Sequence, residues 1–383
     1  MIDSIRQDEN RYQLQTYGKF PIAIEKGQGC YVYDQDGQQY LDFYSGHAVA
    51  STGHCHPHVV AAIREQAARL IFYSNVTYNG MRAQTVKHLL QIAGAPYHQT
   101  FLANSGSEAN ENAIKLARAF TGRQEIISLS QSFHGRTYGS LSSTGIPQYS
   151  EYLNTPVPKH SILSVDEVAG HVSQQTAAVL LEPIQSMAGV IKISAEHLKQ
   201  IHQACQAHQA LLIFDEVQTG AARTGEFLYA GQHDVFPNMV TLAKGIASGF
   251  PAAALLVTED LATSVKSGDL GATFGGGPLA CAALKATLEV IENEKLAQNV
   301  VQMEAYLKQA LSKLSIVEEI RGQGLLLGLK LEDSLTAKDL QQALFSQHIL
   351  TGSSNDAQVL RLLPPLTLNS DEADCFLKAM ESI

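Results

Sequence analysis

The amino-acid sequence predicts an α/β fold, with a mostly parallel sheet covered by helices on both faces and a smaller second domain. From about residue 100, short apolar runs alternate with helical stretches, the pattern of strand–helix–strand units. The chain has 383 residues, 45% of them hydrophobic, enough for two domains at roughly 150 residues each. Near residue 280 the pattern changes to long helical stretches, which indicates where the second domain begins.

The predicted elements follow one another in a simple order. Residues 30–43 predict an early hairpin, because two aromatic-rich runs flank Asp36-Gly37, a strong turn dipeptide. The runs predicted as strands of the main sheet are TFLANSG, QEIISLS, AAVLLEP, ALLIFDE, NMVTLAK and AAALLVT. Helical stretches such as SEANENAIKLARAF lie between them, and PLACAALKATLEVIENEKL follows near residue 280. We expect a large domain over residues 46–280 and a small domain from residues 1–45 and 281–383.

Charge and composition argue against several classes of partner. The formal net charge is −10, whereas nucleic acids and anionic membranes are bound through a basic surface. No apolar run approaches the roughly 20 residues that a membrane span needs, and the polar stretch MIDSIRQDENRYQLQ does not resemble a signal peptide. The five cysteines are odd in number and lack CxxC spacing, which fits a reducing compartment. We expect a cytoplasmic protein that acts on small molecules.

Functional groups stand at the ends of three predicted strands. Ligands of open α/β sheets gather outside the carboxyl ends of the strands. ALLIFDE ends in Asp215 and Glu216, and NMVTLAK ends in Lys244. Lys244 lies 29 positions after Asp215 (244 − 215), a spacing that accommodates one connection between neighbouring strands. A third run, TFLANSGSEAN, passes through a Ser-Gly-Ser turn into a helix. These groups can therefore meet at one edge of the sheet.

Each of these groups alone has an ordinary interpretation. A Ser-Gly-Ser turn before a helix is usually a cap, a strand-end acid is often a cap or an internal salt bridge, and a lone lysine is usually on the surface. In combination they provide what pyridoxal 5′-phosphate (PLP) requires. A desolvated Lys244 would form a Schiff base with the aldehyde, and a buried Asp215 would keep the pyridine nitrogen protonated. The helix N terminus would bind the phosphate.

A resemblance to a known family extends this interpretation. The motifs that carry it are FLANSGSEANENAIKLARAFTGR, SFHGRT, LEPIQ, LLIFDEVQTGAARTGEF, TLAKGIASGFP, ATFGGGPLACAA and VLRLLPPL. Together they resemble the class III, fold type I, PLP-dependent aminotransferases, and within that class the acetylornithine and succinylornithine aminotransferases. The resemblance runs from about Tyr12 to the C-terminal tail. It implies a large, mostly parallel seven-stranded α/β/α domain, a smaller α+β domain from both termini, and a homodimer with active sites at the interface.

The resemblance also implies roles for single residues at the cofactor. Lys244 would carry the cofactor and move protons, and Asp215 would bind the pyridine nitrogen. Val217 would pack on the ring, Phe133 would stack on it, and Gln218 would reach its 3′-oxygen. The residues expected to bind the cofactor are Ser105, Gly106, Ser107, Phe133, Asp215, Glu216, Val217, Gln218, Lys244 and, across the dimer interface, Thr273.

Further residues are implied to bind the substrate. Arg136 would hold the substrate α-carboxylate as a bidentate fork, although an arginine without this context is more often a surface charge. Arg361, in VLRLLPPL, would bind a carboxylate as well. Tyr12, His47 and Ala272 fall at substrate-side positions of the family, although a structural tyrosine or histidine is the commoner case.

The sequence departs from the family pattern at three positions. Met187 replaces a glutamate that in relatives pairs with the arginine matching Arg361 and releases it when 2-oxoglutarate arrives. We therefore expect Arg361 to stay available for a carboxylate throughout turnover, which would suit substrates with two carboxylates. Ala272 stands where many relatives have serine, and Gly277 where asparagine is common. These two changes bear on the acyl group of the substrate and leave the core chemistry alone.

A histidine-rich segment, GHCHPHVV, does not predict a metal site. Its residues His54, Cys55, His56 and His58 match no standard zinc spacing, and Pro57 restricts the loop. We expect no metal.

The function expected from sequence is transfer of the terminal amino group of acetyl- or succinylornithine to 2-oxoglutarate, within arginine biosynthesis. Alternatives are another ω-aminotransferase, acting on ornithine, 4-aminobutyrate or lysine, a PLP-dependent aminomutase, and a non-catalytic cofactor-binding relative. Arg136 favours a substrate with an α-carboxylate over 4-aminobutyrate. An intact Lys244 and Asp215 argue against the non-catalytic relative.

Overall fold

The computed structural model describes residues 2–151 and 155–383. Its strands are β1 (Ile24–Gln28), β2 (Tyr31–Asp34), β3 (Gln39–Asp42), β4 (Tyr97–Ala103), β5 (Glu125–Leu129), β6 (His160–Leu163), β7 (Thr176–Leu181), β8 (Ile184–Gln185), β9 (Ile191–Lys192), β10 (Leu211–Asp215), β11 (Met239–Leu242), β12 (Ala253–Thr258), β13 (Val317–Gln323), β14 (Leu326–Leu331), β15 (Ile349–Leu350), β16 (Gly352–Ser353) and β17 (Val359–Leu362).

The helices lie mainly between the strands of the large sheet and in the C-terminal third. They are α1 (Ile2–Tyr12), α2 (Ser45–Ala48), α3 (Pro57–Arg69), α4 (Gly80–Ala93), α5 (Gly106–Thr121), α6 (Tyr138–Ser142), α7 (Pro147–Ser150), α8 (Val165–His171), α9 (Ala195–His208), α10 (Glu259–Ser264), α11 (Pro278–Asn293), α12 (Leu296–Leu311), α13 (Ala337–Ser346) and α14 (Ser370–Glu381). Short 3₁₀ turns occupy Gln232–Asp234 and Lys244–Ala247.

The large sheet has the strand order β4-β12-β11-β10-β7-β5-β6. Strand β12 is antiparallel to both of its neighbours, β11 and β4, and the other pairs are parallel. This confirms the predicted mostly parallel sheet. All five residues of β10 are buried, as expected of a central strand covered on both faces.

The two faces of this sheet pack into separate apolar clusters. Alternate residues of β10 divide between them: Leu212 and Phe214 join one cluster, and Leu211 and Ile213 join the other. Side chains of α9 complete the first cluster and side chains of α5 the second. The period-two alternation of a strand therefore explains why helices cover both faces.

Residues from both chain ends share one smaller sheet, with the order β1-β2-β3-β15. The predicted hairpin is confirmed, because β2 and β3 pair antiparallel around Gly37, whose φ is 83°. Strand β15 then pairs in parallel with β3. A further sheet, β13-β14-β17-β16, carries Arg361 on β17. The domain limits at residues 45 and 280 remain a prediction. Within the described ranges, no helix is long and apolar enough to cross a membrane.

Candidate active site

A cavity of about 310 Å³ lies at the carboxyl ends of the parallel strands of the large sheet. This is where open α/β sheets bind their ligands. Strand β4 leads into the Ser-Gly-Ser turn, β10 ends in Asp215, and β11 leads to Lys244. The predicted residues that line the cavity are Ser105, Gly106, Ser107, Phe133, Asp215, Val217, Gln218 and Lys244.

Asp215 is the best-supported acid of this cavity. Its side chain is buried, and one carboxylate oxygen accepts hydrogen bonds from Asn110 Nδ2 (2.7 Å) and from His134 Nδ1 (2.8 Å). The other oxygen accepts the backbone N–H of Val217 at 3.1 Å. A buried carboxylate needs such donors to remain ionised. The network also fixes its orientation, because Asn110 is held in turn by the hydroxyl of Thr241.

One residue separates Lys244 from the end of β11, and Lys244 is only partly exposed. Its φ of 47° is left-handed, a conformation that is costly for a residue with a side chain and that is frequent at functional sites. Burial lowers the pKa of the Lys244 amine, while the carboxylates of Asp215 and Glu182 oppose this change and Arg361 adds to it. None of the described residues forms a hydrogen bond or ion pair with its amine. Lys244 is therefore poised as a nucleophile.

The Ser-Gly-Ser turn forms the N terminus of α5, a helix of 16 residues. The Ser105 hydroxyl caps the helix by accepting the N–H of Glu108 at 3.2 Å. Among the described residues, the N–H groups of Gly106 and Ser107 have no partner, which leaves them free for an anion. A Cβ at position 106 would lie 2.8 Å from Val217 Cγ2, so glycine is needed for this close approach. Both the free donors and the lack of a side chain suit a phosphate.

The remaining cavity groups also fit PLP. The amide oxygen of Gln218 is buried without a partner, so the side chain has unused hydrogen-bonding capacity. Phe133 and Val217 are partly buried and contribute apolar surface to the cavity. A phosphate cradle, a buried acid held by three donors, an amine without a partner among the described residues, an amide with free capacity and apolar side chains together match the chemical groups of the cofactor.

The cradle depends on a second glycine, which gives a testable prediction. Gly135 has φ 135°, and a Cβ there would lie 2.1 Å from Ser107 Oγ and 2.6 Å from Ser140 Oγ. We expect Gly135→Ala to displace Ser107 and to weaken PLP binding about tenfold or more, because backbone strain and a clash act together. Titration of cofactor-free enzyme with PLP measures this. Gly170→Ala is the matched control, because position 170 lies on a helix with open space around it. Equal affinities for the two variants would contradict the prediction.

Four predicted residues are not brought to the cavity in the single chain. The Glu216 carboxylate accepts the N–H groups of Tyr229 (2.6 Å) and Ala230 (2.7 Å) and does not line the cavity, and burial raises its pKa to about 7. Thr273 is exposed, and Ala272 offers its carbonyl to Asn75. The fourth, at the end of α1, is Tyr12, which is 75% exposed.

The other three predicted substrate residues, Arg136, Arg361 and His47, lie beside the cavity without lining it. Arg136 is exposed and lies over the ring of Tyr149, with Cζ 3.7 Å from the ring centre. Arg361 is buried, and it donates to the hydroxyl of Ser186 (2.9 Å) and to the carbonyl of Ser353 (2.6 Å). Neither guanidinium forms an ion pair within the described ranges.

His47 contacts this region through Tyr44, whose hydroxyl is hydrogen-bonded to the histidine ring. Desolvation of the ring lowers the pKa of His47 to about 4, and the charges of Arg361 and Lys244 act in the same direction. The residue is exposed in the single chain. His47 is therefore neutral at physiological pH and lies near two cations.

Sequence reasoning missed four residues that the fold brings to the cavity, namely Asn110, His134, Glu182 and Ser186. Asn110 and His134 hold Asp215, and Ser186 holds Arg361. The motifs SFHGRT and LEPIQ contain two of them, His134 and Glu182, so their positions were visible while their partners were not. The histidines near residue 55 have separate carboxylate partners: His54 pairs with Asp42, His56 with Glu294 and His58 with Glu289. Across residues 2–151 and 155–383, no cluster of His, Cys, Asp and Glu is arranged for a metal ion.

Comparisons with known proteins match nearly the whole chain. A family model described as aminotransferase class-III matches residues 12–383. The acetylornithine aminotransferase of Methanopyrus kandleri is 39% identical over 369 residues, which cover 95% of each chain. That of Clostridium acetobutylicum is 38% identical over 386 residues, covering 97% of this chain and 98% of the relative.

Solved structures are similar over the whole chain. The acetylornithine aminotransferase of Elizabethkingia anophelis has a TM-score of 0.86 at 30% identity, covering 100% of this chain and 98% of its own. The ornithine aminotransferase of Toxoplasma gondii has a TM-score of 0.93 at 30% identity, with 100% and 95% covered.

Proposed function

Because the chain belongs to the class III aminotransferases, which are PLP-dependent enzymes acting on small amino and keto acids, we propose that it transfers the terminal amino group of an N-acylated ornithine to 2-oxoglutarate. Relatives named acetylornithine aminotransferase, 36–39% identical over at least 95% of the chain, support this substrate class. The product would be an N-acylglutamate semialdehyde, an intermediate of arginine synthesis. A cytoplasmic location is part of the proposal and rests on the cysteine usage of the sequence.

One observation carries the substrate assignment: two guanidinium groups without ion-pair partners among the described residues lie near the Lys244 cavity. Acetylornithine offers one carboxylate, and succinylornithine and 2-oxoglutarate each offer two. Arg136 would bind the α-carboxylate, and the buried Arg361, beside the Tyr44 hydroxyl, would bind a carboxylate through Nη2, which Ser186 and Ser353 do not engage. Such a pair of cations favours dicarboxylates over a simple monoamine.

In the mechanism, the chain holds the cofactor and moves protons. When bound, PLP supplies an electron sink that makes the proton on the amino-bearing carbon acidic and carries the amino group between the two substrates. Asp215, fixed by Asn110 and His134, supplies the negative charge that favours a protonated ring nitrogen. The lowered pKa of Lys244 increases its neutral fraction, so its amine can accept a proton and return it. The N terminus of α5 anchors the phosphate.

A half-reaction screen tests the substrate. Cofactor-loaded enzyme is mixed separately with acetylornithine, succinylornithine, ornithine and 4-aminobutyrate, and loss of the visible absorbance is followed without acceptor. We expect the acylornithines to react at least about tenfold faster, and 2-oxoglutarate to restore the absorbance. Faster reaction of ornithine or 4-aminobutyrate would overturn the substrate assignment. Turnover without any added acceptor would favour the aminomutase alternative.

The environment of Arg361 gives a second prediction. Met187 lines the cavity next to Ser186, which accepts a hydrogen bond from Arg361. We expect Met187→Glu to give Arg361 a competing carboxylate and to raise the KM for 2-oxoglutarate about tenfold, because a charged hydrogen bond of about 1.5–3 kcal/mol must be displaced. Met187→Gln is the neutral control and is expected to change that KM less than threefold. Equal KM values for the two variants would contradict the role of charge.

A homodimer is also part of the proposal. The segment from Ile71 to Tyr78 exposes an apolar surface: Ile71 is 63% exposed, Val76 84%, and Tyr78 fully exposed. Phe72 packs near Phe274, itself 63% exposed, with ring centres 5.2 Å apart. A surface of this kind is typical of a subunit interface. It lies beside Thr273, which would then reach the phosphate of the partner's cofactor.

This interface is open to a direct test. We expect Val76→Asp to shift the enzyme towards monomers in analytical ultracentrifugation and to weaken PLP binding at the same protein concentration, since each site would lose its partner. Val301→Asp is the control, because residue 301 is a similarly exposed valine (52%) outside this surface. A wild-type enzyme that sediments as a monomer with full activity would contradict the proposed dimer.

A further inference from the structure

Glu182 lines the same cavity as Lys244 and has no role in the mechanism above. It follows β7 directly, and Leu181 at the end of β7 pairs with Phe214 of β10. Glu182 therefore stands beside Asp215 at the carboxyl edge of the sheet. Its side chain is 4% exposed. Two buried acids thus occupy neighbouring strand ends, and Lys244 follows the next strand.

The hydrogen bonds of Glu182 are fewer than its burial requires. One carboxylate oxygen accepts the N–H of Phe133 at 2.7 Å, and the described residues supply no other donor. By contrast, Glu216, which is equally buried, accepts two N–H groups and the hydroxyl of Thr219. A buried carboxylate with a single donor needs a nearby positive charge. Two groups that can carry positive charge line the same cavity and act on Glu182: His134, which is already hydrogen-bonded to Asp215, and Lys244, whose amine has no ion-pair partner among the described residues.

We propose that Glu182 is a positioning residue for Lys244: its carboxylate supplies the counter-charge that holds the proton of the lysine amine. The inference rests on the proposed function, in which Lys244 carries the cofactor. The hydrogen bond from Phe133 N–H fixes the acid and links it to the side chain expected to stack on the cofactor ring. Asp215 has a separate role, because one of its carboxylate oxygens accepts hydrogen bonds from Asn110 and His134 and the other accepts the N–H of Val217.

The charges around Glu182 give the effect a defined pH range. Burial and, to a smaller extent, Asp215 raise the pKa of Glu182 to about 7, against the opposing effects of His134, the Phe133 N–H and Lys244. Lys244 in turn faces Asp215, Glu182 and Arg361. Above about pH 7 Glu182 is ionised and favours the protonated amine. Below that pH it is neutral, and its influence on Lys244 disappears.

The test compares Glu182→Gln with Glu216→Gln. Glutamine keeps an oxygen for the Phe133 N–H and removes only the charge. Glu216 is a matched control, because its pKa is also raised to about 7 by burial while its carboxylate is bound by backbone groups away from Lys244. Each full-length enzyme is first isolated with PLP, and its visible absorbance is titrated with pH. We expect the midpoint to move to lower pH in Glu182→Gln and to stay at the wild-type value in Glu216→Gln.

A second measurement addresses the amine itself. After removal of PLP, the full chains are labelled with acetic anhydride at pH 6 and at pH 8.5, and modification of Lys244 is measured by peptide mass spectrometry. At pH 8.5 we expect Lys244 to react about tenfold faster in Glu182→Gln than in wild type, which corresponds to removing one favourable charge. At pH 6, where Glu182 is already neutral, we expect the two to react alike.

The outcomes separate this inference from the proposed function. An intact visible absorbance with an unchanged midpoint and unchanged labelling in Glu182→Gln would overturn the inference and leave the function standing. The same change in Glu216→Gln would also overturn it, because the effect would not depend on position. A wild-type enzyme in which PLP neither produces the absorbance nor protects Lys244 from labelling would overturn both.

Discussion

Lys244→Ala is expected to lower the rate of amino transfer by at least about 10³-fold and to remove the visible absorbance of the lysine-bound cofactor. The physical reason is that one amine both attaches the cofactor and moves the proton, and general acid–base catalysis alone contributes about 10²- to 10⁴-fold. Single-turnover kinetics with an acylornithine measure the loss, and absorbance spectra measure the attachment.

A matched control separates chemistry from folding. Lys244→Met keeps the apolar stem of the side chain and removes the amine, so we expect the same loss of activity. Both variants keep a side chain at a left-handed position, so neither relieves nor adds backbone strain. We expect both to melt near the wild-type temperature when cofactor is absent from all three. Activity within tenfold of wild type in either variant would show that another group performs the chemistry.

Asp215→Asn is expected to lower kcat about 10²- to 10³-fold, the usual cost of removing one preorganised electrostatic contact. An amide carries no charge to stabilise a protonated ring nitrogen. Its NH₂ group would also meet one of the donors that now serve the carboxylate, Asn110 Nδ2, His134 Nδ1 or the Val217 N–H. Stopped-flow measurement of the half-reaction reports the loss.

Glu216→Gln provides the comparison for this prediction. The Glu216 carboxylate is as buried as that of Asp215 and adjacent to it in sequence, but it accepts hydrogen bonds from the backbone of the loop at Tyr229 and Ala230. We expect its effect on kcat to be at least about tenfold smaller than that of Asp215→Asn. If the two substitutions cost the same, the assignment of Asp215 to the cofactor ring would lose its support.

The strand ends could be predicted from the sequence because burial and connection length are local properties. The run LLIF identified a buried strand, and Asp215 and Lys244 then followed at the edge where parallel strands end. The antiparallel β12 was not predicted, although the chain carries a signal for it. Only ten residues separate Leu242 from Ala253 (253 − 242 − 1), fewer than a parallel crossover needs.

The sequence could not identify partners that depend on tertiary packing. Asn110 lies on α5 and His134 in a loop after β5, and only the packing of α5 on the sheet brings both to Asp215. To predict that Glu182 lies beside Asp215, the register between β7 and β10 would have to be known. The two hydrogen bonds to Asp215 join residues 105 and 81 positions apart in the chain, and no local pattern encodes them.

Glu216 illustrates a signal that was present in the sequence but not used. Side chains of successive strand residues point to opposite faces. Ile213 and Phe214 already belong to different apolar clusters, so Asp215 and Glu216 must also diverge. Asp215 faces α5, and Glu216 faces the loop at Tyr229. Thr273 differs in kind, because its expected role requires a second subunit that one chain does not contain.

Reduction of the PLP-loaded enzyme with sodium borohydride, followed by peptide mass spectrometry, most directly tests whether Lys244 carries the cofactor. Reduction makes the bond between lysine and cofactor permanent and locates it. The account predicts one phosphopyridoxyl group per chain, on the peptide that contains Lys244. A label on any other lysine, or a fully active enzyme that acquires no label, would contradict it.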